Sequence, residues 1–150
     1  MNILFVCTGN TCRSPMAAAM LKKKAPHLSV QSAGVFASDN LPASEQAIKA
    51  MDQKGIELKH KSQMVTESLV EWADLVLTMT EQHKKQLNHL FPEHTTKIYS
   101  LVEYAADGKQ KDINDPFGGD VSLYVETADE IEVYIDLLIE KLQNLGGQNE

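Results

Sequence analysis

Cysteine is scarce in this 150-residue chain: only Cys7 and Cys12 are present, in one short stretch. That excludes a disulfide framework and leaves any zinc site dependent on histidine. The five histidines, His27, His60, His83, His89 and His94, show neither HxxxH nor HExxH spacing. No metal and no cofactor are therefore expected. Acidic residues outnumber basic ones and the formal net charge is −7, which argues against nucleic-acid binding by bulk charge. No apolar run approaches the roughly 18 residues of a membrane span. No basic and apolar leader precedes the strand pattern at Ile3, so the expectation is a cytoplasmic protein without membrane association. The GxxxxGK[ST] pattern of a nucleotide-binding loop is missing. Repeats, linkers and low-complexity segments are missing too. Residues 1–150 are accordingly read as a single domain, expected to be monomeric, able to bury about two-thirds of its unfolded surface.

What is present is concentrated near the N-terminus. Ile3, Leu4, Phe5 and Val6 form an apolar run suited to a strand buried on both faces. Small and polar residues follow from Cys7, with Gly9 among them, and Ser14 and Pro15 suit the N-cap and first position of a helix. Strand, tight loop and helix start aim several backbone N–H groups at one spot, which favours an anion. Cys7 stands at one edge of that spot and Arg13 at the other. Five residues between them are enough to encircle a phosphate, with Arg13 closing the ring bidentately. A thiol in such surroundings should have a depressed pKa.

The rest of the chain alternates strand and helix patterns. The first helix is expected from Pro15 to Ala25, with Lys22, Lys23 and Lys24 at its C-terminal end and Pro26 as its stop. Leu28 to Ala33 reads as a second strand, ended by Gly34. The following loop carries Phe36, which either walls a pocket or packs beneath the loop. Ser44 to Lys54 reads as a helix, and Ile56 to Ser62 as a polar connection in which Lys59, His60 and Lys61 are solvated surface. Thr66 caps a short helix through Trp72, read as core. Leu75 to Met79 is a third strand, Glu81 to Phe91 a helix capped by Thr80, and Lys97 to Val102 a fourth strand. A long polar loop, 105–119, precedes a helix from Val121 to Leu145, with Val121, Tyr124, Ala128, Ile131, Ile135, Leu138, Leu142 and Leu145 on one face and Gly146 and Gly147 ending it. The last residues are expected to fray. This order implies an α/β fold of three layers, a four-stranded parallel sheet with helices on both faces.

Ligands bind at the carboxyl ends of strands in such sheets, where both the Cys7 loop and the loop after strand four belong. A thiolate attacking phosphorus forms a phosphocysteine, and the leaving group needs a proton. Asp112, Asp115 and Asp120 compete for that role. Asp115 has the stiffening Pro116 and the turn-forming Gly118 and Gly119 behind it; Asp120 suits a helix cap, and Asp112 reads as a surface acid.

The stretch from Val6 to Pro15, the segment Ser32-Ala33-Gly34 and the late Asp115-Pro116-Phe117 together resemble the low-molecular-weight protein tyrosine phosphatase family over essentially the whole chain. The resemblance implies Cys7 as nucleophile, Arg13 as phosphate clamp and Asp115 as general acid. It implies that Thr8, Gly9, Asn10, Thr11, Cys12 and Ser14 form the phosphate loop, with Asn10 and Ser14 holding its shape and Cys7 as thiolate. Cys12 would then form a reversible disulfide with Cys7, the alternative being a small buried residue.

Two features depart from the common pattern. Thr11 stands where a bulky aliphatic is usual, and Gly118-Gly119 follow where a second tyrosine is usual. Both resemble the bacterial branch of protein arginine phosphatases, whose counterpart kinase belongs to stress response and regulated proteolysis. A Thr hydroxyl can accept from a guanidinium N–H, whereas an Ile methyl would favour an aromatic ring. Phe36 and Phe117 could flank the flat group by cation–π contact. The expected substrate is thus an arginine-phosphorylated protein, the alternative a tyrosine-phosphorylated one. An arsenate reductase would need a further cysteine pair near residues 80–90, which is missing. A non-catalytic phosphoprotein-binding module is the remaining alternative, and Cys7, Arg13 and Asp115 argue against it.

Overall fold

Strand β1 (Asn2–Cys7) divides its apolar side chains between two cores. Ile3 and Phe5 face one, Leu4 and Val6 the other. Such a strand has no solvated face, as its continuous apolar run demands. The computed structural model describes residues 1–148. Its further elements are α1 (Arg13–Lys24), β2 (Ser29–Gly34), α2 (Glu45–Gln53), α3 (Glu67–Trp72), β3 (Leu75–Thr78), α4 (Glu81–Leu90), β4 (Ile98–Ser100), α5 (Leu101–Ala105) and α6 (Val121–Gln148). All strand pairs are parallel, in the order β2-β1-β3-β4. The chain leaves β1 in one direction to reach β2 and crosses back to β3, so the switch point lies at the carboxyl end of β1.

Helices cover both faces, giving the expected three layers. Met16, Met20 and Leu21 of α1, Met51 of α2 and Ile131, Ile135 and Leu138 of α6 pack with Ile3, Phe5 and Leu77. Val70 of α3 and Leu87 of α4 pack with Leu4, Val6 and Val76 on the other side, and Trp72 adds a half-buried ring there. Thr66, Thr80 and Asp120 cap α3, α4 and α6 through their side chains as their positions suggested.

Three boundaries differ from expectation by more than one residue. The fourth strand is Ile98–Ser100 only: Pro92–Lys97 forms a 3-10 turn, and Leu101 and Val102 begin α5. Ser100 and Glu103 make a reciprocal capping box, a local signal that outweighs the β-propensity of Val102. Helix α1 starts at Arg13, before Ser14, and its N-cap is Cys12 without a side-chain bond. Helix α6 continues through Gly146 and Gly147 to Gln148. The expectation of fraying falls on residues 149–150, outside the described residues.

Candidate active site

The loop leaving β1 must turn tightly to reach α1. Asn10 makes that turn in the left-handed region, at φ 56°. Its side chain is fully buried and fully used: Nδ2 donates to Ser14 Oγ at 2.8 Å and to Ser32 Oγ at 2.9 Å, and Oδ1 accepts from Gln63 N–H at 3.0 Å. Its carbonyl accepts from His60 Nε2 at 2.6 Å. Gly34 lets β2 press against the same loop. A Cβ there would sit 2.4 Å from the Thr8 carbonyl oxygen and 3.0 Å from Asn10 N.

These contacts bring residues 7–13, Asp115 and Phe117 around one hollow of about 280 Å³. Larger hollows of about 320, 330 and 370 Å³ are lined without cysteine. Cys7 Sγ lies 2.8 Å from Ser14 Oγ. Ser14 is therefore not the helix cap of the sequence reading but a partner of the sulfur. Because Asn10 already donates into its oxygen, the Ser14 proton is free to donate to Cys7. Arg13 is buried; Nη1 donates to the Ile113 carbonyl at 2.9 Å, and Nη2 stands 3.6 Å from Asp115 Oδ2. Asp115 Oδ1 accepts from Phe117 N–H at 3.1 Å, closing the turn that Gly118 continues at φ 82°. Arg13 thus ties the loop carrying Asp115 to the cysteine loop, across 100 residues of chain.

Burial pushes the Cys7 thiol up from its ordinary value. The Ser14 hydroxyl and N–H, the Arg13 charge and the Asn10 N–H pull it down, without overcoming burial. The expected depression is not met in this arrangement. Arg13 still favours the thiolate, and the cost of burying the charge is larger.

The other anticipated residues fall as follows. Gly9 and Thr11 line the hollow, Thr11 half-buried. Phe117 lines it and is 80% exposed, while Phe36 is 82% exposed and outside the lining. Packing of Phe36 beneath its loop is thereby excluded. Cys12 is buried as a free thiol, near Tyr124 OH at 3.4 Å and Ser44 Oγ at 3.6 Å. Asp120 caps α6 and does not reach the hollow. Asp112 is more than a surface acid: its Oδ1 accepts from Glu81 N–H at 2.8 Å, pinning the acid loop to the start of α4. His60, read as solvated surface, is half-buried against the loop. Ser32, Gln63, Tyr124 and His83 were missed as neighbours of the site. Only Ser32, inside Ser32-Ala33-Gly34, had a signal. Among the described residues one group, Glu67, Glu71 and His94, brings possible metal-ligand atoms within 4.8 Å of one another, and none of the three lines the hollow. No helix among them is long and apolar enough to cross a membrane.

The arrangement brings a thiol, a guanidinium and a carboxyl group to one hollow, a set of groups suited to covalent phosphoryl transfer. Comparison with known proteins agrees. The protein-arginine-phosphatase of Geobacillus stearothermophilus is 48% identical over 142 residues, covering 94% of this chain and 95% of its own. That of Bacillus subtilis is 46% identical over 147 residues, covering 95% and 97%. A solved structure of the YwlE arginine phosphatase, a cysteine-to-serine mutant with a phosphorylated active site serine, superposes with a TM-score of 0.93 at 45% identity, covering 95% of this chain and 96% of its own. The family model described as low molecular weight phosphotyrosine protein phosphatase matches residues 2–147, and the chain belongs to that family.

Proposed function

We propose that this protein is a protein-arginine phosphatase acting through a phosphocysteine intermediate, with residues 1–150 working as one phosphatase domain. The observation that carries the reading is the shared hollow of Cys7, Thr11, Arg13 and Asp115. Cys7 attacks phosphorus as thiolate, and the N–P bond breaks as Asp115 gives its proton to the departing guanidino nitrogen. Asp115 then takes a proton from water, which attacks the phosphocysteine and releases phosphate and thiolate. The loop N–H groups and Arg13 stabilise the equatorial oxygens.

Thr11 is the residue assigned to substrate choice. Its hydroxyl offers the guanidinium an acceptor, and Phe117, with Phe36 beyond it, offers aromatic faces to a flat cation. The tyrosine-directed alternative is supported by the family's description. We further assign the protein to the cytoplasm as a monomer, with arginine-phosphorylated proteins of the stress response as partners. Cys12 is assigned as the resolving thiol for an oxidised Cys7.

One assay tests the reading: release of phosphate from phosphoarginine and phosphotyrosine proteins by wild type, Cys7→Ser and Thr11→Ile. The expected result is a preference for phosphoarginine, no turnover by Cys7→Ser, and a shift toward phosphotyrosine with Thr11→Ile. A wild-type preference for phosphotyrosine refutes the arginine assignment.

A further inference from the structure

Helix α4 carries a histidine to the back of the Cys7 loop. His83 is the third residue of the helix, 5% exposed, with its own N–H held by Thr80 Oγ1 at 3.1 Å. Its Nε2 lies 2.8 Å from the hydroxyl of Thr8, the residue after Cys7 and part of the hollow's lining. Its Nδ1 is buried with no hydrogen-bond partner. Burial, and next the Arg13 charge, bring the imidazole down to about 4, against the opposing influence of Asp112 and Asp115. The ring is neutral at neutral pH and carries one N–H. On Nδ1 that proton would be a buried donor with nothing to bond, the rarer and costlier orphan. On Nε2 it donates to Thr8 Oγ1. Thr8 Oγ1 then accepts from His83, and its own proton is left to serve another acceptor.

We propose that His83 is a positioning residue for phosphoryl transfer: it holds the Thr8 hydroxyl so that its proton serves an oxygen of the phosphoryl group bound in the Cys7 hollow. Backbone N–H groups of the loop are fixed by the fold, but a hydroxyl rotates freely unless something fixes its oxygen. Occupying one lone pair from behind is how His83 directs it. The same turn of α4 receives Asp112 at Glu81 N–H, so one short segment supports the cysteine loop through His83 and the acid loop through Asp112. The inference rests on the phosphocysteine reading but not on the arginine preference.

The test uses the full chain and a generic aryl phosphate, with kcat, KM and thermal midpoint measured for wild type, His83→Leu, His83→Gln, Thr8→Val and the double variant His83→Leu/Thr8→Val. His83→Leu and Thr8→Val should each lower kcat by about tenfold, the factor of one hydrogen bond, with KM nearly unchanged. His83→Gln keeps an N–H donor and should recover most of the loss. The double variant should be no slower than the slower single one, because both changes break one connection. An intact kcat in His83→Leu with a lowered thermal midpoint overturns the proposal, as do losses that multiply in the double variant. If His83→Leu does not fold, Thr8→Ser and Thr8→Val decide: activity kept by Ser and lost by Val supports it, and equal activity overturns it. Wild-type protein inert toward both aryl phosphate and a phosphoarginine protein marks failure of the phosphocysteine reading, a result distinct from intact turnover in His83→Leu.

Discussion

Ser14 shows how one hydroxyl is committed by its neighbours. Asn10 Nδ2 fills its oxygen at 2.8 Å, and Cys7 Sγ lies 2.8 Å away on the other side. Replacing Ser14 by alanine removes a donor to the thiolate and disfavours the charged form. The Cys7 pKa should rise, because the charged form loses a hydrogen-bond donor while its burial is unchanged. The acidic limb of kcat/KM, and of Cys7 alkylation, should move to higher pH; an unmoved limb would show that Ser14 only shapes the loop. Asp115 makes a second prediction at this scale. Asp115→Asn should lower kcat on a phosphoarginine protein by about 10²–10⁴. The loss should be much smaller on an aryl phosphate whose leaving group departs without a proton. Equal losses on both would remove Asp115 from the acid role.

Helices and loops set these residues in place. The acid loop is anchored by Ile113, whose N–H donates to the Met79 carbonyl at 3.0 Å and whose carbonyl receives Arg13, and by Asp112 at the start of α4. Asp112→Ala should cost about 0.5–2 kcal/mol, as loss of a helix cap does. It should also lower kcat, because the loop carrying Asp115 loses one of its ties. Denaturant titration and steady-state kinetics separate the two effects. Gly34→Ala is expected to be worse. Its Cβ would lie 2.4 Å from the Thr8 carbonyl oxygen, a backbone atom that cannot swing aside. Overpacking of this kind costs about 1–3 kcal/mol, and the displaced atoms belong to the loop that holds Cys7. A variant with wild-type stability and kcat would contradict the close approach.

At the scale of the whole molecule, acid should destabilise the fold in two stages. His83 is neutral in the folded protein down to about 4, whereas its ordinary value is 6.5. The unfolded chain therefore takes up the proton first, and stability falls as pH drops from 6.5 toward 4. Lys54 first and Lys24 next hold Glu132 below its ordinary 4.5, so that stabilisation is present above 4.5 and is lost on further acidification. Those two lysines link α1 and α2 to α6, Lys54 reaching Asp129 and Glu132 and Lys24 reaching Glu132 and Asp136. The pH dependence of the thermal midpoint checks this. His83→Gln should flatten the upper stage and leave the lower one; identical curves would show that His83 does not titrate as the burial demands.

The sequence alone determined the strand that runs into Cys7, the loop that ends at Arg13, the helix caps at Thr66, Thr80 and Asp120, and the parallel α/β order. These depend on near neighbours: apolar runs, hydroxyls before helices, a nucleophile and a cation at a fixed spacing. The same locality misplaced Leu101 and Val102, where a capping box outweighed β-propensity, and Ser14, whose hydroxyl is claimed by Cys7 and Asn10. Only the tertiary structure decided what meets the loop from behind. His60, Ser32, His83 and Ile113 come from four separate segments, two of them loops, and no spacing in the chain encodes their approach. It also decided the protonation balance of Cys7, because burial, the largest influence on that thiol, is a property of the whole packing. A nucleophile can be named from its immediate neighbours, whereas its readiness depends on every group the fold packs around it.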